Sequence, residues 1–249
     1  MLNRADWAVA AAAAALALAG WALRSEIPVL ERIDRATLDL QMQARGRLEP
    51  GREHPVVLVT IDDRSLQQLG GAAPHRAQYA TLIERLQQAG ARAVALDVLM
   101  VDPSRGAPEH DELLAARLRS AAAAGMKVGL PFALPGQRAP GLQTGAPPLA
   151  LLNHAAPRVQ AAPESAAALP LQPQGLVAPL PLLAEAAGLM GHVTAARGVE
   201  GALRFDLPLL PWQDEWFPSM ALRLAGESLG LDWQQARVAL GQGIDWGAL

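Results

Sequence analysis

The sequence predicts an α/β fold: a mostly parallel, helix-covered sheet with an antiparallel C-terminal hairpin, preceded by an N-terminal transmembrane helix. Three observations predict it. Strand-like and helix-like runs alternate between residues 56 and 134, the order that yields parallel strands joined by helical crossovers. An uncharged apolar run stands ahead of them, WAVAAAAAALALAGWAL from Trp7 to Leu23. At 249 residues and 51% hydrophobic, the chain is long and apolar enough to bury a full core.

The elements follow in order. Residues 1–6 form an N-terminal tail, expected on the cytoplasmic side, and residues 7–23 reach the short end of a bilayer's hydrocarbon core. Trp7 and Trp21 stand near the two ends of that run, where indole rings favour the membrane interface. An uncleaved anchor is the leading reading. A signal peptide cleaved near Ala19, after the A-x-A formed by Ala17 and Ala19, and a soluble alanine helix are the other two. Residues 26–47 space Val29, Leu30, Ile33, Leu38 and Leu40 as a helix would, which suits a stalk. Val56 to Ile61 (VVLVTI) reads as a buried strand, and Asp63 to Leu69 as a short helix stopped by Gly70 and Gly71. A helix from Ala77 to Ala89, a strand from Ala93 to Leu96, a helix from Glu109 to Ala124 and a strand from Val128 to Leu134 continue the alternation.

Prolines and glycines then crowd residues 135–181, which read as a long, partly packed insertion. A helix near Leu182 to Ala187 follows. Leu189 to Thr194 and Leu203 to Leu210 are expected to pair as a hairpin across the turn ARGVEG. Pro218 and Ser219 open a last helix that ends at Gly230, and the tail GQGIDWGAL is expected to start an element that continues past Leu249. The sensory region on this reading is residues 26–249, C-terminally incomplete.

Composition excludes several functions. A net charge of −3 gives no basic footprint, so no nucleic acid is expected as a partner. Without cysteine there are no disulfides, thiolate nucleophiles or cysteine zinc sites. Lys127 is the only lysine, which rules out mechanisms that need two. No G-x-S-x-G, H-E-x-x-H or phosphate-cradling glycine loop is present. A receiver domain needs an acid after its third strand, but VGLPFAL ends without one. The adjacent pair Asp62 and Asp63 does not fit an Asp-x-Asp phosphatase either.

What remains is an acidic edge. Asp62 follows the first predicted strand and Asp97 the second, so both lie at the carboxyl edge of a parallel sheet, where ligands of open α/β folds bind. Asp63, Asp102 and Asp111 would approach the same edge, and Arg76 begins the intervening helix. Clustered carboxylates there suit the amine of a small ligand or a hard divalent cation, the metal being the lesser reading for Asp62 and Asp97. Asp63 is the expected helix cap, and Asp102 before Pro103 also reads as a turn. Salt bridges from Asp62 and Asp97 to Arg76 or Arg204 are the ordinary alternative to a site.

IDDRSL, RAQYATLIERLQQAGARAVALDVLMVDP and HDELLAARL together resemble the extracellular sensory domain associated with cyclases and histidine kinases, type two (CHASE type two). Its pattern runs from a strand into Asp-Asp-x-Ser, through Trp-Pro-Trp-x-Arg and a helix, to a strand into Asp-Val-x-Phe. A later Asp-Gly-x-x-Arg turn and a Pro-Ser-x-Ala-Leu helix are matched by Glu200 to Arg204 and Pro218 to Leu222. The likeness spans about residues 30–249, leaving the insertion unmatched. The tryptophan segment is reduced here to Ala73-Pro74-His75-Arg76, and Glu200 replaces an aspartate.

The resemblance implies a ligand-sensing input domain outside the inner membrane, periplasmic or extracellular. The output would be a cyclase, a histidine or Ser/Thr kinase, or a diguanylate cyclase beyond this chain. It implies no catalytic residue and no cofactor in this segment. The ligand would be a small molecule or ion held by Asp62, Asp97, Arg76, Arg204 and Asp102, and a homodimer is one expectation for the assembly. The rival readings are an exported metal-dependent hydrolase using Asp62 and Asp97, and a degenerate dimerisation module.

Overall fold

The computed structural model describes residues 14, 15, 18, 20, 28–46, 56–138, 142–160, 169, 171–196, 203 and 206–247. The chain divides into two units, Met1–Leu58 and Val59–Leu249. In the first, helix α1 (Pro28–Arg45) matches the stalk pattern and exposes Val29, Ile33, Leu40 and Met42. Most of the apolar run 7–23 lies outside the described residues. Among those described, no helix is long and apolar enough to cross a membrane.

The second unit is built around three parallel strands. They are β1 (Ala93–Ala95), β2 (Lys127–Phe132) and, after three intervening elements, β4 (Leu189–His192), in the order β1-β2-β4. Register aligns Val94 with Val128 and Leu130 with Met190. Helices α2 (Asp63–Gln68), α3 (Arg76–Gln88) and α4 (Glu109–Ala123) precede β2. Gly90 and Gly125 release the chain from α3 and α4 at φ of 85° and 86°, a left-handed turn that side-chain-bearing residues resist.

Ile83 of α3, Leu114 and Leu118 of α4, and Val128 and Leu130 of β2 form one core cluster with Leu183. All six are fully buried. Each stabilises the fold by about 1.5–3 kcal/mol relative to exposure. Arg117 and Glu84 bridge α4 to α3 at 3.2 Å near the surface, a contact of little energetic weight.

The insertion is not merely a loop. It contains α5 (Leu149–Leu152), the short strand β3 (Val159–Gln160), and Leu151 and Leu176, which are buried beside Phe132 and Phe217. Its sparse apolar residues suggest partial packing, but a few leucines on a folded-back segment are enough to fill a second core. Helix α6 (Pro181–Ala186) then leads into β4.

Two strand expectations are corrected. Val56 to Ile61 is not a strand: residues 56–62 are irregular, and Leu58 is 84% exposed. β-branched composition favours a strand only where a sheet edge takes up the backbone groups. The expected hairpin of Leu189 to Thr194 with Leu203 to Leu210 is also not formed among the described residues: β4 pairs in parallel with β2, and Leu209 and Leu210 pair with Pro218 and Phe217 rather than with β4. An antiparallel hairpin does form, between β5 (Leu209–Trp212) and β6 (Glu215–Pro218). Residues 197–202 and 204–205 lie outside the described residues.

Helix α7 (Met220–Ser228) begins on β4, with Ser219 as its cap accepting from the Leu222 amide at 3.1 Å. A Cβ on Gly191 would come within 2.5 Å of the Met220 nitrogen, so β4 admits α7 only because residue 191 has no side chain. The tail forms a second small sheet. Strand β7 (Arg237–Ala239) pairs in parallel with β3 and antiparallel with β8 (Gly243–Asp245).

Candidate functional site

The carboxyl end of β1 leads through buried Leu96 to exposed Asp97, then through buried Met100 to exposed Asp102. The chain next turns at Pro103 and Ser104 and enters α4. A polar node fixes this loop to both flanking helices. Arg76, the first residue of α3, pairs with Asp111 of α4. Its guanidinium also donates to Ser104 Oγ at 3.2 Å and to the Asp102 carbonyl at 2.5 Å. Asp111 accepts from the Ser104 amide and hydroxyl, both at 2.9 Å.

Asp111 is 5% exposed. Burial pushes its carboxyl up, but the Ser104 hydrogen bonds and the Arg76 charge outweigh that and hold it below its ordinary value. Next to it, His110 lies 6.0 Å from His75, and the buried His110 Nδ1 has no hydrogen-bond partner among the described residues.

The cap expected of Asp63 belongs to its neighbour in IDDRSL. Asp62, not Asp63, caps the helix. Its backbone is extended (φ −91°, ψ 178°), and its Oδ1 accepts from the Ser65 amide at 2.8 Å and the Ser65 hydroxyl at 2.6 Å. Asp63 is the first helical residue. A capping carboxylate reaches the amide three residues on, and Ser65 occupies that place for Asp62. The same Ser65 contacts lower the Asp62 pKa.

Of the expected ligand residues, the structure thus joins Arg76 to Asp102 through the latter's carbonyl and commits Asp62 to its own helix. Among the described residues, Asp97 makes no hydrogen bond or ion pair, nor does the Asp102 carboxylate. Arg204 and Glu200 lie outside the described residues. No group of three metal-ligating side chains occurs among those described. Ser104 is the member that the sequence reading misses. The available signal was an acid in the first turn of α4, seven residues beyond a Pro-Ser turn, the spacing at which a carboxylate can fold back on the turn's amide.

A second polar group sits at the carboxyl end of β4. His192, the last residue of β4, is 1% exposed. Phe132 meets it edge-on, with ring centres 6.4 Å apart. Neither His192 nitrogen has a hydrogen-bond partner among the described residues, and burial lowers its pKa to about 4. Arg223 of α7 is also buried, with its guanidinium 5.0 Å over the Trp233 ring.

Comparison with known proteins adds the family. No curated protein and no solved structure matches the chain. The family model of the CHASE2 domain matches residues 11–246, nearly the whole length, in agreement with the resemblance carried by the motifs. The chain therefore belongs to the CHASE2 domain family, a family of extracellular sensory domains.

Proposed function

We propose that this chain is the extracytoplasmic, ligand-sensing input domain of a membrane-bound signal-transduction receptor. Residues 7–23 anchor it in the inner membrane, the domain faces the periplasm or exterior, and a cyclase or kinase output lies beyond the chain. The observation that carries the reading is Asp97, exposed and, among the described residues, unpartnered at the carboxyl end of β1. It stands on a loop whose far end is held by Arg76, Ser104 and Asp111. Asp97 and Asp102 offer free carboxylates to a cation or an amine, and the node behind them keeps their loop ordered before the ligand arrives. A ligand that binds one conformer better than another shifts the population between them.

Titration of the detergent-solubilised chain with calcium, magnesium, manganese or putrescine tests this. Binding to the folded state raises thermal stability by mass action, about 2.7 kcal/mol at a hundred times Kd. Saturable stabilisation by one of the four, lost in Asp97→Ala and Asp102→Ala, is the expected result. No response to any of them removes the acidic edge as the ligand site. Metal binding accompanied by phosphoesterase turnover would favour an exported hydrolase instead.

A further inference from the structure

The small sheet of β3, β7 and β8 has one face in the core. Val159, Val238 and Ile244 pack with Trp233 and Ala236. Their sequence neighbours therefore point outward, since successive residues of a strand alternate faces. Register places them in two rows. Val159 aligns with Val238 in the parallel pair, which sets Arg158 beside Arg237, and the Val238 amide donates to the Arg158 carbonyl at 2.8 Å. Arg237 in turn aligns with Asp245. The second row is Gln160, Ala239 and Gly243.

Arginines in the first row, with Ala239 and Gly243 in the second, leave a cleft of about 710 Å³, lined by both arginines, Gln160, Gln242, Ala239 and Asp245. A Cβ at Gly243 would meet nothing within 4 Å, so the floor of the cleft is open there.

The two arginines need an explanation. Neighbouring strands lie about 4.8 Å apart. Like charges placed directly across such a pair repel and cost stability. Asp245 is the adjacent acid, yet its Oδ1 accepts from the Gly247 amide at 2.7 Å. Neither Arg158 nor Arg237 makes an ion pair among the described residues. Two guanidinium groups side by side form a fork that matches the oxygens of a carboxylate or phosphate. The carboxamides of Gln160 and Gln242 supply neutral donors and acceptors around them.

We propose that this cleft binds a small oxyanion, a carboxylate or phosphate group seated between Arg158 and Arg237. The site lies apart from the carboxyl edge and does not depend on it.

The test is calorimetric titration of the detergent-solubilised chain with sodium succinate and, separately, sodium phosphate, at constant ionic strength in chloride. Saturable binding of at least one probe is expected, and which of the two binds tells a dicarboxylate from a phosphate ligand. Arg158→Gln and Arg237→Gln should each weaken it about tenfold or more, the loss typical of a charge-assisted hydrogen bond. Ala239→Leu, which fills the cleft without touching a charge, should weaken it as well. Arg119→Gln, an exposed arginine on α4, should leave the affinity unchanged. Tryptophan fluorescence verifies that each variant is folded. Absence of saturable binding by both probes overturns the proposal. Binding that survives Arg158→Gln and Arg237→Gln, or that falls equally in Arg119→Gln, overturns it too.

Discussion

The buried imidazoles make the domain's stability depend on pH well above the range in which carboxylates titrate. His192 has both ring nitrogens sealed from water without a partner among the described residues, and burial brings its pKa from 6.5 to about 4. His154 falls to about 4 as well, through burial first and then the positive charges of Arg223 and Lys127. Both folded-state values lie below the unfolded one. Below pH 6.5 the unfolded chain takes up protons that the folded chain refuses, so stability falls as pH falls and is fully present only above 6.5.

At about 1.4 kcal/mol per pKa unit, each histidine withdraws roughly 3 kcal/mol between pH 6.5 and 4. Domains of this kind have a net stability of about 5–15 kcal/mol, so the pair removes a large fraction of it. Urea denaturation followed by tryptophan fluorescence at pH 7.5, 6.5, 5.5 and 5.0 measures the slope before aspartates contribute. The slope should approach two protons near pH 5. In His192→Leu it should approach one, with stability at pH 7.5 equal or higher because two unpaired buried nitrogens are gone. A flat profile over this range, or a slope that His192→Leu leaves unchanged, refutes the reasoning.

Two further expectations concern named contacts. Gly191→Ala drives a methyl into the Met220 backbone and should cost about 1–3 kcal/mol, whereas Gly226→Ala, inside α7 with nothing within 4 Å, should gain about 0.5–1 kcal/mol. Equal urea midpoints for the two variants would contradict the close seating of α7 on β4. Arg76→Met strands the buried Asp111 carboxylate and should cost about 3 kcal/mol at pH 7, measured by the same denaturation. Because the Asp111 pKa is lowered on folding, its contribution is present above the unfolded value and lost as pH falls through the folded one. The variant should therefore lose less stability than the parent below about pH 4.

The parts of the fold legible in the sequence are those written locally. The strands at 93–95 and 127–132 and the helices at 76–88 and 109–123 stand within a residue or two of where periodicity and glycine stops place them. What the sequence does not carry is partnership. Leu189–His192 reads as a strand, but nothing within it says that β2 rather than the next apolar run is its neighbour. Pairing choice is a long-range outcome of packing, and Gly191 under Met220 is part of what decides it. The run VVLVTI shows the converse, a strong strand composition whose residues are irregular.

The candidate site turns on a finer ambiguity. Asp62 and Asp63 both suit a cap, and the pattern allows the helix to start after either. The difference is one residue of backbone: an extended ψ of 178° at Asp62 brings its carboxylate onto Ser65, three residues ahead. Had the extended residue been Asp63, the amide three residues on would belong to Leu66, whose side chain has no hydroxyl to add a second bond. Ser65 supplies that second donor only to Asp62. The serine of Asp-Asp-x-Ser thus selects the first aspartate as the cap, and the carboxylates of the edge without a partner among the described residues are those of Asp97 and Asp102.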